Sequence, residues 1–196
     1  ILYSKQTNFA AVDNVTRRKY TINIQKPEDP NIPMKTAVYH ELGHLLWDSF
    51  RSEAFIILRE WAKDKITDLF NQKQIKSSER LNIPYHIQQE ISKTQSKMEE
   101  YIASLYINCF NCLEDQRIES LTQEIWLATG AMFDEAKTNL GKDSSWWDML
   151  SPPNHLLAAR FNRPELTSPR YIDAMKDVEG KGWTGTIGIM RQIKDL

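Results

Sequence analysis

The sequence predicts a helix-dominated α+β fold, and three observations predict it. Residues 18 to 25 alternate apolar and polar side chains, the pattern of a half-buried strand. Residues 33 to 48 carry apolar side chains at helical spacing behind a proline suited to a helix start. No glycine or proline interrupts the chain between His86 and Thr129. We therefore expect a small sheet, a helix beside it, and a long second helix or two helices stacked end to end.

The remaining segments follow the same rules. Residues 52 to 70 form an amphipathic pattern that predicts another helix, and a short helix is expected near residues 170 to 178. The tail EGKGWTGTIG, residues 179 to 188, holds four glycines and is predicted as a loop.

Composition predicts one folded domain over residues 1–196. We expect a core at about residues 15–130 and a C-terminal helical and loop subdomain at about 131–196. With 41% hydrophobic and 26% charged residues, the chain has the composition of a globular protein. Its net charge of −1, with the basic residues dispersed, argues against a nucleic-acid or anionic-membrane partner.

The cellular location and the redox state of the cysteines are predicted from sequence features that we do not find. No apolar run approaches the ~20 residues that span a bilayer, and the first residues do not resemble a signal peptide. Cys109 and Cys112 are the chain's two cysteines and form no disulfide framework, so we interpret them as core thiols in a reducing compartment. The expected location is intracellular, which includes the case of a virus- or phage-encoded protein.

The segment VYHELGHLLWD carries the strongest chemical signal. His40 and His44 lie four residues apart, so both project from one face of a helix and can bind one ion. Glu41 lies about 100° further round the helix, beside the position of a metal-bound water whose proton it can accept. This is the HExxH pattern of zinc peptidases, in which zinc activates the water and polarises a carbonyl. The alternative interpretation is a pair of hydrogen-bonded core histidines beside a surface glutamate.

Two histidines and a water leave a zinc site one protein ligand short, and a carboxylate is the expected third. One candidate is Glu60 in EWAKD, followed four residues later by Asp64. The other is the row Asn111, Asp115 and Glu119, which share one face of an otherwise largely apolar helix. The residues alone leave both candidates open.

HELGH, followed some 70 residues later by the Asn-x-x-x-Asp-x-x-x-acid pattern around LEDQRIE, resembles a family of metallopeptidase domains. These domains occur beside von Willebrand factor A-type and cobaltochelatase-like modules in bacteria and phages, and they belong to the zincin group. The resemblance covers roughly residues 35 to 125. It implies a zincin-like fold, Asp115 as the third ligand, and Glu119 as the residue that orients a ligating histidine. Glu114, one position away, is the alternative ligand.

These features predict a zinc-dependent peptidase that hydrolyses peptide or protein substrates. His40, His44 and Asp115 would hold Zn²⁺, and Glu41 would act as general base. The alternative is a catalytically inactive zincin-fold module that serves a structural role or binds a protein partner or assembly.

Overall fold

The computed structural model describes residues 9–12, 20–23, 33–49, 51–74, 85–142 and 151–193. This part of the chain is built mainly from α-helices. They are α1 (Met34–Leu46), α2 (Ser52–Gln74), α3 (Tyr85–Ile125), α4 (Ala128–Gly141), α5 (Pro152–Arg160), α6 (Pro169–Asp177) and α7 (Trp183–Ile193), with a short 3-10 turn at Pro164–Leu166.

The α+β fold class predicted from the sequence is wrong. In the described residues, β structure is limited to one antiparallel pair of four-residue strands, β1 (Phe9–Val12) and β2 (Tyr20–Asn23), with Phe9 opposite Asn23. A two-stranded ribbon of this length is marginally stable by itself, and it packs against α1 instead of forming a sheet layer. The described chain is helical, and the sheet layer expected of a zincin-like α+β domain is not formed by it.

The chain divides into two compact units. One comprises residues 1–51 together with 109–196, and the other comprises residues 52–108. The second unit contains α2, in which Ala54, Leu58, Ala62 and Ile66 are buried at intervals of four residues. This spacing makes one continuous apolar face along the helix.

The first unit contains α1, the C-terminal part of α3, and α4 to α7. Its interior is formed by apolar side chains from several of these helices. The most deeply buried of them are Phe110, Leu113, Ile118, Phe133, Leu156, Val178 and Met190.

Two helix boundaries differ in an informative way from the sequence pattern. The glycine-free stretch ends as a helix at Ile125, and a break at Trp126 and Leu127 precedes α4. The tail predicted as a loop is instead largely helical, because α7 starts at Trp183 and buries Ile187, Met190 and other apolar residues. Burial of this face outweighs the roughly 1 kcal/mol that each helical glycine costs.

Among the described residues, no helix is both long enough and apolar enough to cross a membrane.

Candidate metal centre

Helix α1 places both motif histidines one turn apart near its C-terminal end. The helix starts directly after Pro33 and ends at Leu46. Asp48 then adopts a left-handed conformation with φ of 59°, and the Ser49 amide donates to the His44 carbonyl at 3.1 Å. This closing bond terminates the helix and turns the chain away immediately after the motif.

Gly43 allows α1 to approach α3 closely. A Cβ atom at this position would lie 3.0 Å from Thr122 Oγ1 and 3.3 Å from Ile118 Cδ1. On the same side of α1, Trp47 Nε1 donates a hydrogen bond to Thr122 Oγ1 at 3.2 Å. The glycine of HELGH therefore sits at the contact that brings the histidines to α3.

Asp115 of α3 meets both histidines with one carboxylate oxygen. Asp115 Oδ1 lies 3.6 Å from His40 Nε2 and 3.3 Å from His44 Nε2. The two imidazole rings are nearly perpendicular, with centroids 5.0 Å apart. One potential ligand atom from each of the three residues lies within 4.8 Å of the others. The group can hold a metal ion.

Glu119, one helical turn beyond Asp115, supports the other side of His40. His40 Nδ1 lies 3.0 Å from Glu119 Oε1, so the ring can donate there and keep Nε2 for the metal side. Lys137 of α4 lies 2.9 Å from the second oxygen, Glu119 Oε2. A carboxylate behind a ligating histidine is the usual support of a protein metal site.

Arg160, the last residue of α5, joins the two carboxylates. Its Nη1 donates to Asp115 Oδ2 at 2.8 Å, and its Nη2 donates to Glu119 Oε1 at 2.7 Å. The side chain is only 10% exposed. Arg160 and Lys137 also line a cavity of about 480 Å³ among helices α3 to α6.

These contacts hold both carboxylates in the ionised form. Burial would raise the pKa of Asp115, but Arg160 and the two histidines offset burial and lower that pKa to about 2. Burial likewise opposes ionisation of Glu119, yet Arg160, His40 and Lys137 keep its pKa well below the usual range. Burial lowers the pKa of His40, but Asp115 and Glu119 raise it by more, so its pKa lies above the ordinary value. At neutral pH both acids are therefore charged acceptors.

Glu41 lies on the same turn of α1 as His40 and is 6% exposed. Its position in the chain places it next to the predicted ligand, and its burial removes it from bulk water. The role of general base that the HExxH pattern predicts for Glu41 stays a prediction.

The other carboxylates considered as third ligand lie elsewhere. Glu114 is buried and turned into a separate network, where it accepts hydrogen bonds from Arg117, Ser49 and Thr186. Glu60 is an exposed residue of α2, in the unit formed by residues 52–108. Within the first unit, the structure thus brings Asp115, rather than Glu114, to the two histidines.

Sequence reasoning missed Arg160 and Lys137. Neither belongs to a motif, and each reaches the site only through tertiary packing. One signal was available for Arg160, because it ends the largely apolar stretch LLAAR, and an arginine on a buried face needs an acidic partner. No comparable signal marks Lys137.

Comparisons with protein-family models, with curated proteins and with solved structures find no significant match to this chain. The function of this chain is therefore inferred from the geometry of the site.

Proposed function

We propose that this chain is a zinc-dependent peptidase. The observation that carries the proposal is the convergence of His40 and His44 of α1 with Asp115 of α3. Asp115 Oδ1 lies 3.6 Å from His40 Nε2 and 3.3 Å from His44 Nε2. Function is argued from this site and not from the fold, because one chemistry recurs on unrelated folds.

The donor set and its spacing both suit zinc. Two imidazoles and one carboxylate are a common protein ligand set for catalytic zinc, which keeps its fourth position for water or substrate. Ligands about 2.0 to 2.1 Å from a tetrahedral ion are about 3.3 to 3.4 Å from one another. The distances from Asp115 Oδ1 to the two histidine nitrogens are 3.3 and 3.6 Å, close to this spacing, and all three ligand atoms lie within 4.8 Å of one another.

The three ligands remain partly open to solvent. Side-chain exposure is 20% for His40, 18% for His44 and 23% for Asp115. A structural zinc site is closed by four protein ligands, whereas a catalytic site needs access for water and substrate. Partial exposure of a three-ligand group supports the catalytic alternative.

The chemistry that zinc supplies when bound is polarisation of the substrate carbonyl and a lower pKa for the attacking water. Glu41 would accept a proton from the attacking water and deliver it to the leaving amine. Glu119 holds His40 through Nδ1, so that the ring presents Nε2 and does not rotate. Asp115 contributes the one negative charge of the ligand set.

Glu41→Gln tests this assignment. The exchange keeps the shape of the side chain but removes the base, so we expect bound zinc near one equivalent and a loss of hydrolysis of at least about a hundredfold. Metal content is measured by elemental analysis, and hydrolysis is measured by mass spectrometry on a mixed peptide library. Glu124→Gln, an exposed position on α3, is the matched control and should behave as wild type. Undiminished hydrolysis by Glu41→Gln, or no hydrolysis by the zinc-loaded wild type, contradicts the proposal.

A second candidate function is a non-catalytic module that binds a protein partner. One observation favours it: the corner between α3 and α4 exposes apolar side chains at Ile125, Trp126 and Leu127, the last of them 85% exposed. Exposed apolar patches often mark interaction surfaces. This candidate predicts full zinc binding without peptide hydrolysis in the wild type.

A further inference from the structure

The two oxygens of Asp115 have different surroundings. Oδ1 faces His40 and His44, whereas Oδ2 accepts a hydrogen bond from Arg160 Nη1 at 2.8 Å. A carboxylate can bind a metal through one oxygen or through both. Here the second oxygen already has a cationic partner on its own side.

We propose that Arg160 is a positioning residue that restricts Asp115 to one-oxygen coordination and thereby makes the centre selective for zinc over larger ions such as manganese. The inference rests on the metal site of the proposed function but not on peptide hydrolysis.

The geometry of Arg160 explains why its hold on Asp115 is firm. Its two terminal nitrogens contact carboxylates one helical turn apart on α3, Asp115 at 2.8 Å and Glu119 at 2.7 Å. A planar guanidinium holds two such acceptors in a fixed relation, which a single ammonium cannot do. For Asp115 to turn both oxygens toward an ion, it would have to break its bond to Arg160 and bring the ion closer to that positive charge.

This restriction affects metals differently. Zinc is satisfied by four ligands in tetrahedral geometry, so two imidazoles, one carboxylate oxygen and one water complete its shell. Manganese prefers six ligands and favours oxygen donors. Asp115 Oδ2 is an additional oxygen on a residue that already belongs to the site, and Arg160 withholds it through their hydrogen bond.

Removing Arg160 has two effects that must be separated. Loss of a positive charge near the site strengthens the binding of every divalent cation by a similar factor. Release of Oδ2 favours manganese alone. The ratio of the two dissociation constants therefore reports the positioning role, because the common electrostatic factor cancels from it.

The experiment measures zinc and manganese dissociation constants by competition with a chelator, for wild type, Arg160→Gln, Arg160→Lys and Lys137→Gln. Removing an outer partner of a metal ligand typically changes affinity by about ten- to a hundredfold. We expect both Arg160 variants to lower the preference for zinc over manganese by about tenfold. Lys137→Gln is the matched control, because the ion pair of Lys137 is with Glu119 rather than with Asp115. It should shift both affinities together and leave their ratio unchanged.

Cobalt provides a second measurement, whose wild-type part needs no variant. The visible spectrum of the Co²⁺-loaded wild type should be the intense spectrum of a four-coordinate ion, and it should weaken in Arg160→Gln. Circular dichroism establishes which variants are folded. If the cobalt spectrum of the wild type is that of a six-coordinate ion, the proposal is overturned, whether or not any variant folds. An unchanged zinc-to-manganese ratio in a folded Arg160 variant, or an equal change in Lys137→Gln, overturns it as well. Neither result affects the test of the proposed function, which measures hydrolysis by Glu41→Gln. Conversely, a wild type that hydrolyses no peptide does not change what the ratio of the zinc and manganese dissociation constants says about Arg160.

Discussion

Glu119 determines which nitrogen of His40 faces the predicted metal position. As an ionised carboxylate it can only accept, so His40 Nδ1 must carry the proton in their 3.0 Å hydrogen bond. In the neutral ring, Nε2 then carries the lone pair and faces the metal position. The same acid also forms ion pairs with Arg160 and Lys137.

Glu119→Gln should weaken zinc binding by about ten- to a hundredfold, because the neutral amide holds the His40 ring less firmly. Competition with a chromophoric chelator measures the change. Glu124→Gln, on the exposed side of the same helix, should leave the zinc affinity at the wild-type value. Equal zinc affinities for Glu119→Gln and wild type would show that Glu119 does not support the ligand.

The cysteines give a prediction about pH. Both thiols are free and buried, and burial raises the pKa of Cys109 to about 12. An unfolded thiol ionises near pH 8.5, so a raised folded pKa stabilises the fold below that pH and the stabilisation is lost as pH rises toward 12. We expect the free energy of unfolding to fall by about 2 kcal/mol between pH 8 and pH 10 from this thiol alone.

Urea unfolding at the two pH values measures this loss, and Cys109→Ala provides the reference. The variant is expected to be less stable at both values but to lose about 2 kcal/mol less between them. An identical pH dependence in the two proteins would exclude Cys109 as the source. Slow reaction of the native thiols with a disulfide reagent at pH 8 is the accompanying expectation.

At the scale of single residues, spacing alone could predict that His40 and His44 lie together, because the geometry of one helical turn relates them. The role of Glu41 stays a prediction. Asp115 lies on another helix, and only the resemblance singled it out from Glu60 and Glu114. The partners of Arg160 and Lys137 could not be predicted, because nothing within α4 or α5 indicates which carboxylates these two side chains contact.

Among the elements, the contact between α1 and α3 is the one on which the site depends. A helix pair approaches most closely where one partner lacks a side chain, and Gly43 is that position on α1. His40 and His44 flank it, so a shift of α1 moves both of them away from Asp115.

Gly43→Ala should lower the free energy of unfolding by about 1 to 3 kcal/mol, because the new methyl group would lie 3.0 Å from Thr122 Oγ1 and force the helices apart. Zinc affinity should fall at the same time. Gly130→Ala in α4 is the matched control, since its Cβ would meet only the end of the Gln123 side chain, at 3.2 Å. That variant should be as stable as wild type or slightly more stable. A Gly43→Ala protein with wild-type stability and zinc affinity would contradict the role assigned to this glycine.

Helix boundaries were easier to predict than helix partners. The predicted segments at residues 33 to 48 and 52 to 70 correspond to α1 and α2, because their apolar periodicity is a local property. Helix α7 was missed because its two glycines resemble a loop, while the burial of Ile187, Ile189 and Met190 depends on tertiary contacts.

Across the whole first unit, one buried network ties the end of α1 to α3 and α7. Glu114 pairs with Arg117, whose Nη2 donates to the Trp47 carbonyl at 2.8 Å. Ser49 and Thr186 donate to the two oxygens of Glu114 at 2.9 and 2.5 Å. The network contributes no metal ligand, but it fixes the segment that directly follows the HELGH helix.

Glu114→Ala should reduce the free energy of unfolding by about 3 to 5 kcal/mol, because it leaves the buried Arg117 without its carboxylate. Urea unfolding measures the loss, and Glu124→Ala is the exposed control on the same helix. The protein that remains folded should still bind zinc in the wild-type ratio. Loss of zinc from folded Glu114→Ala would instead make Glu114 a ligand.

The fold class was the least predictable property of the molecule. Alternation in residues 18 to 25 indicates a strand locally, but it does not reveal how many strands pair with it, and the described chain forms only the ribbon of β1 and β2. The expected sheet layer came from the resemblance and from treating that local pattern as part of a larger sheet. Part of the site could be predicted better than the fold, because two of the three residues that can hold a metal ion, His40 and His44, lie one turn apart on one helix.

Metal content and X-ray absorption of protein purified without added metal test the central claim most directly. We expect close to one equivalent of zinc in the wild type, with only nitrogen and oxygen ligands at about 2.0 to 2.1 Å. We expect most of it to be lost in Asp115→Ala but retained in Glu60→Ala. A wild type that binds no zinc even after supplementation, or an Asp115→Ala protein that keeps its full equivalent, would contradict the account.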